Sequence, residues 1–315
     1  MNNSSLENIA ISKELSEIYS FLSMPKVRQI SNGIINRNYL VDEDYVLTIF
    51  RHRSVSHLTS ISNILERNHS GLLPTPIISS LGTAVNTIDN TPSILFNKIQ
   101  GRHFRQEGTR KKNALPNIES YRSVAKSFWT LHESLSTVPN PNCGVIDYRS
   151  LSHLFNEKSQ PLPRLPVFMQ RGFILDFIAT RNVPLMYPSL IHCDMERQNI
   201  LHDENGLVTG VVDVDALLEG DILYEYAHCV MDFVLTDPEY TEKKLDIFME
   251  CAEESHLIKS QDLKFLPLLS SSFSAKVLMF MFLHEIDTKE LEAMVNTYDL
   301  GIKRIQAYLP GNPPF

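Results

Sequence analysis

Cysteine is scarce in this chain of 315 residues: Cys143, Cys193, Cys229 and Cys251 lie far apart, with no C-x-x-C pair. That spacing argues against a zinc site or a disulfide framework. Basic charge is also short, with 29 Lys and Arg against 37 Asp and Glu, a formal net charge of −8. Binding a phosphate polymer needs clustered cations, so no nucleic-acid partner is expected. Long apolar runs are missing too. The longest, Val277 to Leu283, falls far short of the ~20 residues that span a bilayer, so no membrane partner is expected. The start MNNSSLENIAISKEL has no basic region followed by an apolar core, and a soluble, cytoplasmic protein is the expectation. Repeats and low-complexity segments are absent. What remains is ordinary globular composition, long enough for two domains with substantial cores.

The most informative stretch runs from Leu190 to Tyr226, LIHCDMERQNILHDENGLVTGVVDVDALLEGDILYEY. An apolar lead-in reaches His192 and Asp194, and Asn199 follows Asp194 by five positions. Ile200-Leu201 and Leu207 to Val212 read as two short strands around the turn Asp203-Glu204-Asn205-Gly206, and the second ends on Asp213. A hairpin of this kind returns Asn199 and Asp213 to the same end, beside Asp194. Two carboxylates and an amide oxygen so placed suit phosphoryl transfer from a metal nucleotide: one acid for the attacking hydroxyl, the other two groups for Mg²⁺.

The pattern H-x-D-x-x-x-x-N followed by an apolar strand and Asp matches the kinase catalytic-loop signature. Val214-Asp215 stands where protein kinases carry Phe-Gly, and no extended segment ending in A-P-E follows Asp213. With Gly220-Asp221 and Tyr224-Glu225-Tyr226-Ala227 downstream, the stretch resembles the aminoglycoside phosphotransferase and choline kinase superfamily. YVLTIF (Tyr45 to Phe50) resembles the matching strand of its homoserine kinases.

This resemblance implies an α+β, two-lobed protein-kinase-like fold. Its small N-lobe, residues 1–99, has an antiparallel sheet, and its mainly helical C-lobe, residues 100–315, carries the catalytic loop. It implies ATP and Mg²⁺ as cofactors, Asp194 as the base or orienting acceptor, and Asn199 and Asp213 as metal ligands. His192, Asp215, Asp221 and Glu225 are supporting residues, with Asp221 bracing the catalytic loop. The partner is a small-molecule hydroxyl acceptor bearing an amine, either a homoserine-like metabolite or an aminoglycoside-type antibiotic. The alternative is a non-catalytic binding protein that keeps the fold. The oligomeric state is left undefined.

In chain order, residues 6 to 23 show helical spacing at Ile9, Ile11, Leu15, Ile18, Phe21 and Leu22. Strands follow at Val27 to Ile30, Tyr39 to Val41 and Tyr45 to Phe50. The loop from Ser31 to Asn38 covers the phosphates in this reading, with Ser31, Gly33 and Asn36 nearest them. It holds one glycine, so a full Gly-rich loop is lacking. Thr48 occupies the place where kinase-like strands usually carry a phosphate-binding cation. A helix from Val55 to Asn68 buries Leu58, Ile61, Ile64 and Leu65 and carries no acid at its centre. Strands are expected around Ile77 and from Ser93 to Ile99, and the backbone from Asn97 to Ile99 is the candidate for reading the adenine edge. Ile118 to Leu135 reads as a core helix with His132 as a packing residue. Pro161 to Pro166 reads as a loop, Phe168 to Thr180 as a helix, and Leu266 to Leu283 as a buried helix. Glu253, Glu254, Glu285 and Asp287 are the acids within reach of an acceptor pocket.

Overall fold

A computed structural model describes residues 3–32, 36–103, 114–139, 185–283 and 287–309. The first hundred residues build one antiparallel sheet from β1 (Val27–Asn32), β2 (Asn36–Val41), β3 (Tyr45–Phe50), β4 (Val85–Ile88) and β5 (Thr91–Asn97), in the order β1-β2-β3-β5-β4. Alternation along each strand sorts side chains between two cores. Leu47, Ile49 and Leu95 join Ile11 and Leu15 of α1 (Asn3–Ile18) and Tyr19 just beyond it. Phe50, Ile94 and Phe96 face the other way and join Leu58, Ile61, Ile64 and Leu65 of α2 (Val55–Arg67). Each such buried side chain contributes roughly 1.5–3 kcal/mol, so the sheet is clamped from both faces. Ser54 caps α2 by accepting the His57 backbone N–H at 3.2 Å.

Several boundaries differ from the sequence reading. The expected polar loop is mostly strand: β1 runs on to Asn32 and β2 begins at Asn36, because their backbones pair as far as Asn32 with Arg37. Phe21 and Ile9 are exposed, so α1 presents a narrower apolar face than the spacing suggested. No strand forms around Ile77. Its N–H reaches Leu95 at 2.8 Å and Pro76 makes a lone bridge with Phe96, while the true edge strand is β4, a polar stretch with little periodicity.

The rest of the described chain is mainly helical. Helix α3 (Ile118–Ser136) packs on α5 (Glu242–Glu254), and α4 (Ile222–Val230) packs on α6 (Leu266–Leu283), which contacts α7 (Thr288–Tyr308). Among the described residues, no helix is long and apolar enough to cross a membrane. Two small sheets sit between the large sheet and these helices: β6 (Pro188–Ile191) with β9 (Leu218–Asp221), and β7 (Ile200–His202) with β8 (Val208–Val211). The expected elements at 161–166 and 168–180 lie outside the described residues.

The link from β5 runs directly over the β7–β8 hairpin. Arg102 and His202 exchange both backbone hydrogen bonds at 2.8 and 2.9 Å, and the Val211 N–H reaches Leu72 O at 2.8 Å. A side chain on Gly210 would lie 2.6 Å from Ile99 Cγ2 and 3.0 Å from Leu72 O, so only glycine allows this approach.

Candidate active site

The sequence places Asp194, the expected catalytic acid, between a strand end and a hairpin, and the structure shows how that loop is held. After β6 the chain turns sharply at Cys193, which has a left-handed φ of 69°. A side chain with a Cβ adopts that conformation at some cost, so something must hold it. Glu225 on α4 does so: its carboxylate accepts the His192 N–H at 3.0 Å and the Cys193 N–H, and pairs with His132 Nε2 at 2.9 Å. Burial pushes the Glu225 carboxyl up, but His132, His192 and the backbone donors outweigh it and hold it below its ordinary value.

Farther along the loop, Arg197 is 3 % exposed and bonds to Phe233 O at 2.7 Å and to Asp237 Oδ2 at 3.1 Å, while its own N–H reaches Asp232 Oδ2 at 2.9 Å. Asp232 lies in a π-turn, Met231–Leu235, that extends α4. Asp237 also accepts the Tyr121 hydroxyl, and Lys244 lies 3.4 Å away; burial raises its pKa, and Tyr121 and Arg197 bring it below normal.

Between these anchors, the three residues chosen for chemistry come together. Asn199 Nδ2 donates to Asp194 O at 2.9 Å and to Asp194 Oδ2 at 2.6 Å. Both partners are acceptors, so the NH₂ end of the amide must face Asp194, which leaves its carbonyl oxygen for another partner. Asn199 O accepts the Val212 N–H at 2.8 Å, and the His192 ring donates from Nε2 to Val212 O at 3.0 Å. These two bonds lock the catalytic loop to the residue before Asp213. Asp213 is itself left-handed, with φ 65° and ψ 51°.

Carboxylates are crowded here. Asp213 is pushed up to about 7, first by burial and then by the charge of Asp215, a hydrogen bond with it, and the charge of Asp194; Arg53 opposes this. Asp194 is likewise raised by burial, against the charge of His192 and the Asn199 hydrogen bond. Asp194 is half-buried and Asp213 keeps an exposed edge; with an amide oxygen beside them the two acids form an all-oxygen donor set, and a hard divalent cation suits it.

Other expected residues fall differently. Ser31 pairs with Asn38 in the backbone of β1, but its side chain, like all of Gly33, lies outside the described residues. Asn36 is a buried strand residue whose Oδ1 has no hydrogen-bond partner among the described residues. Thr48 lies opposite Asn38 and donates to its Oδ1 at 2.8 Å. At the expected hinge, the Asn97 N–H goes to Thr75 O and the Lys98 N–H to Asp44 O, both at 2.9 Å, so those two donors are engaged and the Ile99 backbone remains. Asp221 does not brace the catalytic loop. It caps α4 through the Leu223 N–H at 2.9 Å and holds the Met186 N–H at 2.7 Å, because its position at the end of β9 faces the entry to β6; Glu225 and Asp232 do the bracing. Glu253, Glu254 and Asp287 are exposed, and Glu285 lies outside the described residues.

Sequence reasoning overlooked Glu196 and His228. With Asp194 each offers a ligand atom, all within 4.8 Å of one another, and His228 stacks on Phe273 with ring centroids 3.7 Å apart. Glu196 sits inside the motif at an unspecified position, so a charged residue there was the available signal. Arg53 was also missed. It bonds through Nε to Asp215 Oδ2 at 2.9 Å, across 162 positions of sequence.

Solved structures of similar fold cover nearly the whole chain. A GDP complex of aminoglycoside 2'-phosphotransferase-IIIa is 17 % identical, with a TM-score of 0.66, covering 96 % of this chain and 100 % of that one. A microcompartment-associated aminopropanol kinase is 16 % identical, with a TM-score of 0.68 and 95 % and 97 % covered. The amicoumacin kinase hAmiN, bound to AMP-PNP, Ca²⁺ and Ami, is 14 % identical, with a TM-score of 0.69 and 96 % of each chain covered. At these identities the likeness shows the shared two-lobed α+β kinase-like fold. No curated protein sequence matches the chain. The family model for phosphotransferase enzymes matches residues 26–246, a span holding the sheet, the catalytic loop and Asp213, and the chain belongs to the phosphotransferase enzyme family.

Proposed function

We propose that this phosphotransferase moves the γ-phosphoryl group of ATP, with Mg²⁺, to a hydroxyl of a small amine-bearing molecule in the cleft between residues 1–99 and 100–315. The observation that carries the reading is the Asn199 amide: its nitrogen is fixed on Asp194 and its backbone on Val212, the residue before Asp213, which supports a base and an amide oxygen working beside that acid. Asn199 and Asp213 are the residues that hold the metal. When bound, the metal nucleotide supplies the phosphoryl group, and the ion neutralises its charge.

Asp194 receives the acceptor's hydroxyl. Its raised pKa, caused mainly by burial, makes it a better proton acceptor than a solvated carboxylate. Asn199 keeps its carboxylate oriented, and the buried braces Glu225 and Arg197 keep the loop from relaxing. Glu196 and His228 beside Asp194 give the acceptor side a negative and hydrogen-bonding character that suits an ammonium group. The Ile99 backbone meets the adenine edge.

The test has two arms. Melting the protein with ATP, with and without Mg²⁺, should show stabilisation that depends on the metal. An ATP-consumption screen over amino alcohols, choline-like amines and aminoglycosides should then find an acceptor. Stabilisation without turnover on any hydroxyl compound would point to the non-catalytic binder. No response to nucleotide at all would remove the reading.

A further inference from the structure

The strand cation that kinase-like enzymes place on the nucleotide's phosphates is missing from β3. Thr48 stands in its place, on the same strand face as Phe50, and its hydroxyl proton is engaged by Asn38. Helix α2 has no acid among its buried residues Leu58, Ile61, Ser62, Ile64 and Leu65, so nothing there is arranged to hold a strand cation. Phosphates beside Asp213 and Asp215 nonetheless need positive charge beyond one divalent ion.

Arg53 is the side chain whose position answers that need. It leads into the cap of α2, three residues after β3 ends. Its Nε bonds Asp215 Oδ2 at 2.9 Å, and its charge acts on Asp213, the metal acid two residues away. One turn later, His57 Nε2 donates to the Asp215 carbonyl at 3.0 Å, so the same short segment grips Asp215 by backbone and by side chain. Only Nε of the guanidinium is engaged: Nη1 and Nη2 make no hydrogen bond with the described residues. Arg51, the nearer candidate by sequence, is exposed and enters no ion pair among the described residues.

We propose that Arg53, oriented by Asp215, is the cation that binds the nucleotide's phosphates in place of the strand lysine, with Asp215 as its positioning residue. The inference rests on the nucleotide reading above and deepens it. In this arrangement the phosphate cation comes from the loop after β3 rather than from the strand, and a carboxylate across the cleft replaces the usual helix acid as its holder. The two Nη groups present a planar fork suited to a pair of phosphate oxygens.

Calorimetric titration of the full-length protein with MgATP, MgADP and adenosine tests this directly. Arg53→Gln should weaken MgATP binding by about tenfold or more, while adenosine binds as it does to wild type. Adding Thr48→Lys to that variant should recover part of the lost MgATP affinity by restoring a cation on the strand. A latch that merely joined the two regions would lower the melting temperature and affect all three ligands alike. Unchanged MgATP binding in Arg53→Gln would overturn the assignment while leaving the nucleotide reading intact. Equal losses for adenosine and MgATP would overturn it too. Failure of wild type to bind MgATP would instead strike the nucleotide reading itself.

Discussion

The large sheet and the loop around Asp194 are held together by opposite means. Around β1 to β5, order comes from apolar side chains sandwiched between α1 and α2, and the charged pairs there lie toward the surface: Arg37 meets Glu7 at 2.7 Å and Asp89 at 3.2 Å, with Asp89 largely exposed. Around Asp194, order comes from charge taken out of water: Arg197 with Asp232 and Asp237, and His132 with Glu225, all buried. A sheet held by apolar packing on both faces tolerates sequence change. A loop that must keep two residues in left-handed conformations beside crowded carboxylates does not, and its supports are directional bonds that break singly and at high cost.

The sharpest break should come at the base. Asp194→Asn is expected to lower turnover by a factor on the order of 10²–10⁴ while MgATP still protects against melting, because the lost group acts on the acceptor. Steady-state kinetics beside a thermal shift checks both halves; near-normal turnover would refute the role of Asp194.

The next test sets the two kinds of support against each other. Arg197→Met should cost about 3–5 kcal/mol in urea unfolding, since it leaves the buried Asp232 and Asp237 without the guanidinium between them. Arg37→Met should cost about 1 kcal/mol or less, as partly exposed pairs do. Equal losses would show that buried charge around Asp194 is no more costly to break than the partly exposed pairs of the sheet.

A pH measurement sharpens the same contrast on the hairpin. His202 is 1 % exposed, and burial first, then the charges of His103 and Arg197, lower its pKa to about 4 against the hydrogen bond to Gly206 O. With the folded value below the unfolded one, the unfolded chain binds the proton more readily. Stability is therefore complete above about pH 6.5 and falls as the pH drops toward 4. Its share of the loss between pH 7 and pH 5 is about 2 kcal/mol. Comparing denaturation curves of wild type and His202→Asn at the two pH values isolates it. If the variant shows the same pH slope, the buried imidazole is not the source.

How much of this was legible in the sequence follows the same division. Helices α2 and α3 and strand β3 were readable because their burial is periodic: Leu58, Ile61, Ile64 and Leu65 recur at helical spacing, and Tyr45 to Phe50 is a run of strand formers. Asp194, Asn199 and Asp213 were readable because their chemistry fixes their spacing on one continuous stretch. The supports were not. Arg53 and Asp215 meet across 162 positions, and His132 and Glu225 meet from two helices, so no local pattern connects them. Asp221 was misplaced for a related reason: sequence shows that an acid opens α4, but not which of two nearby loops its carboxylate faces. Strand β4 was missed because VNTI at a sheet edge has no apolar alternation to display.

Gly210 sets a mechanical condition on the whole molecule. Where the linker crosses the β7–β8 hairpin, Ile99 rests on bare backbone, with no protruding group to mesh against. The crossing is therefore set by backbone against backbone, with the Arg102–His202 and Val211–Leu72 hydrogen bonds fixing its spacing. Any larger residue there acts as a wedge, forcing Ile99 and the Leu72 backbone away from the hairpin.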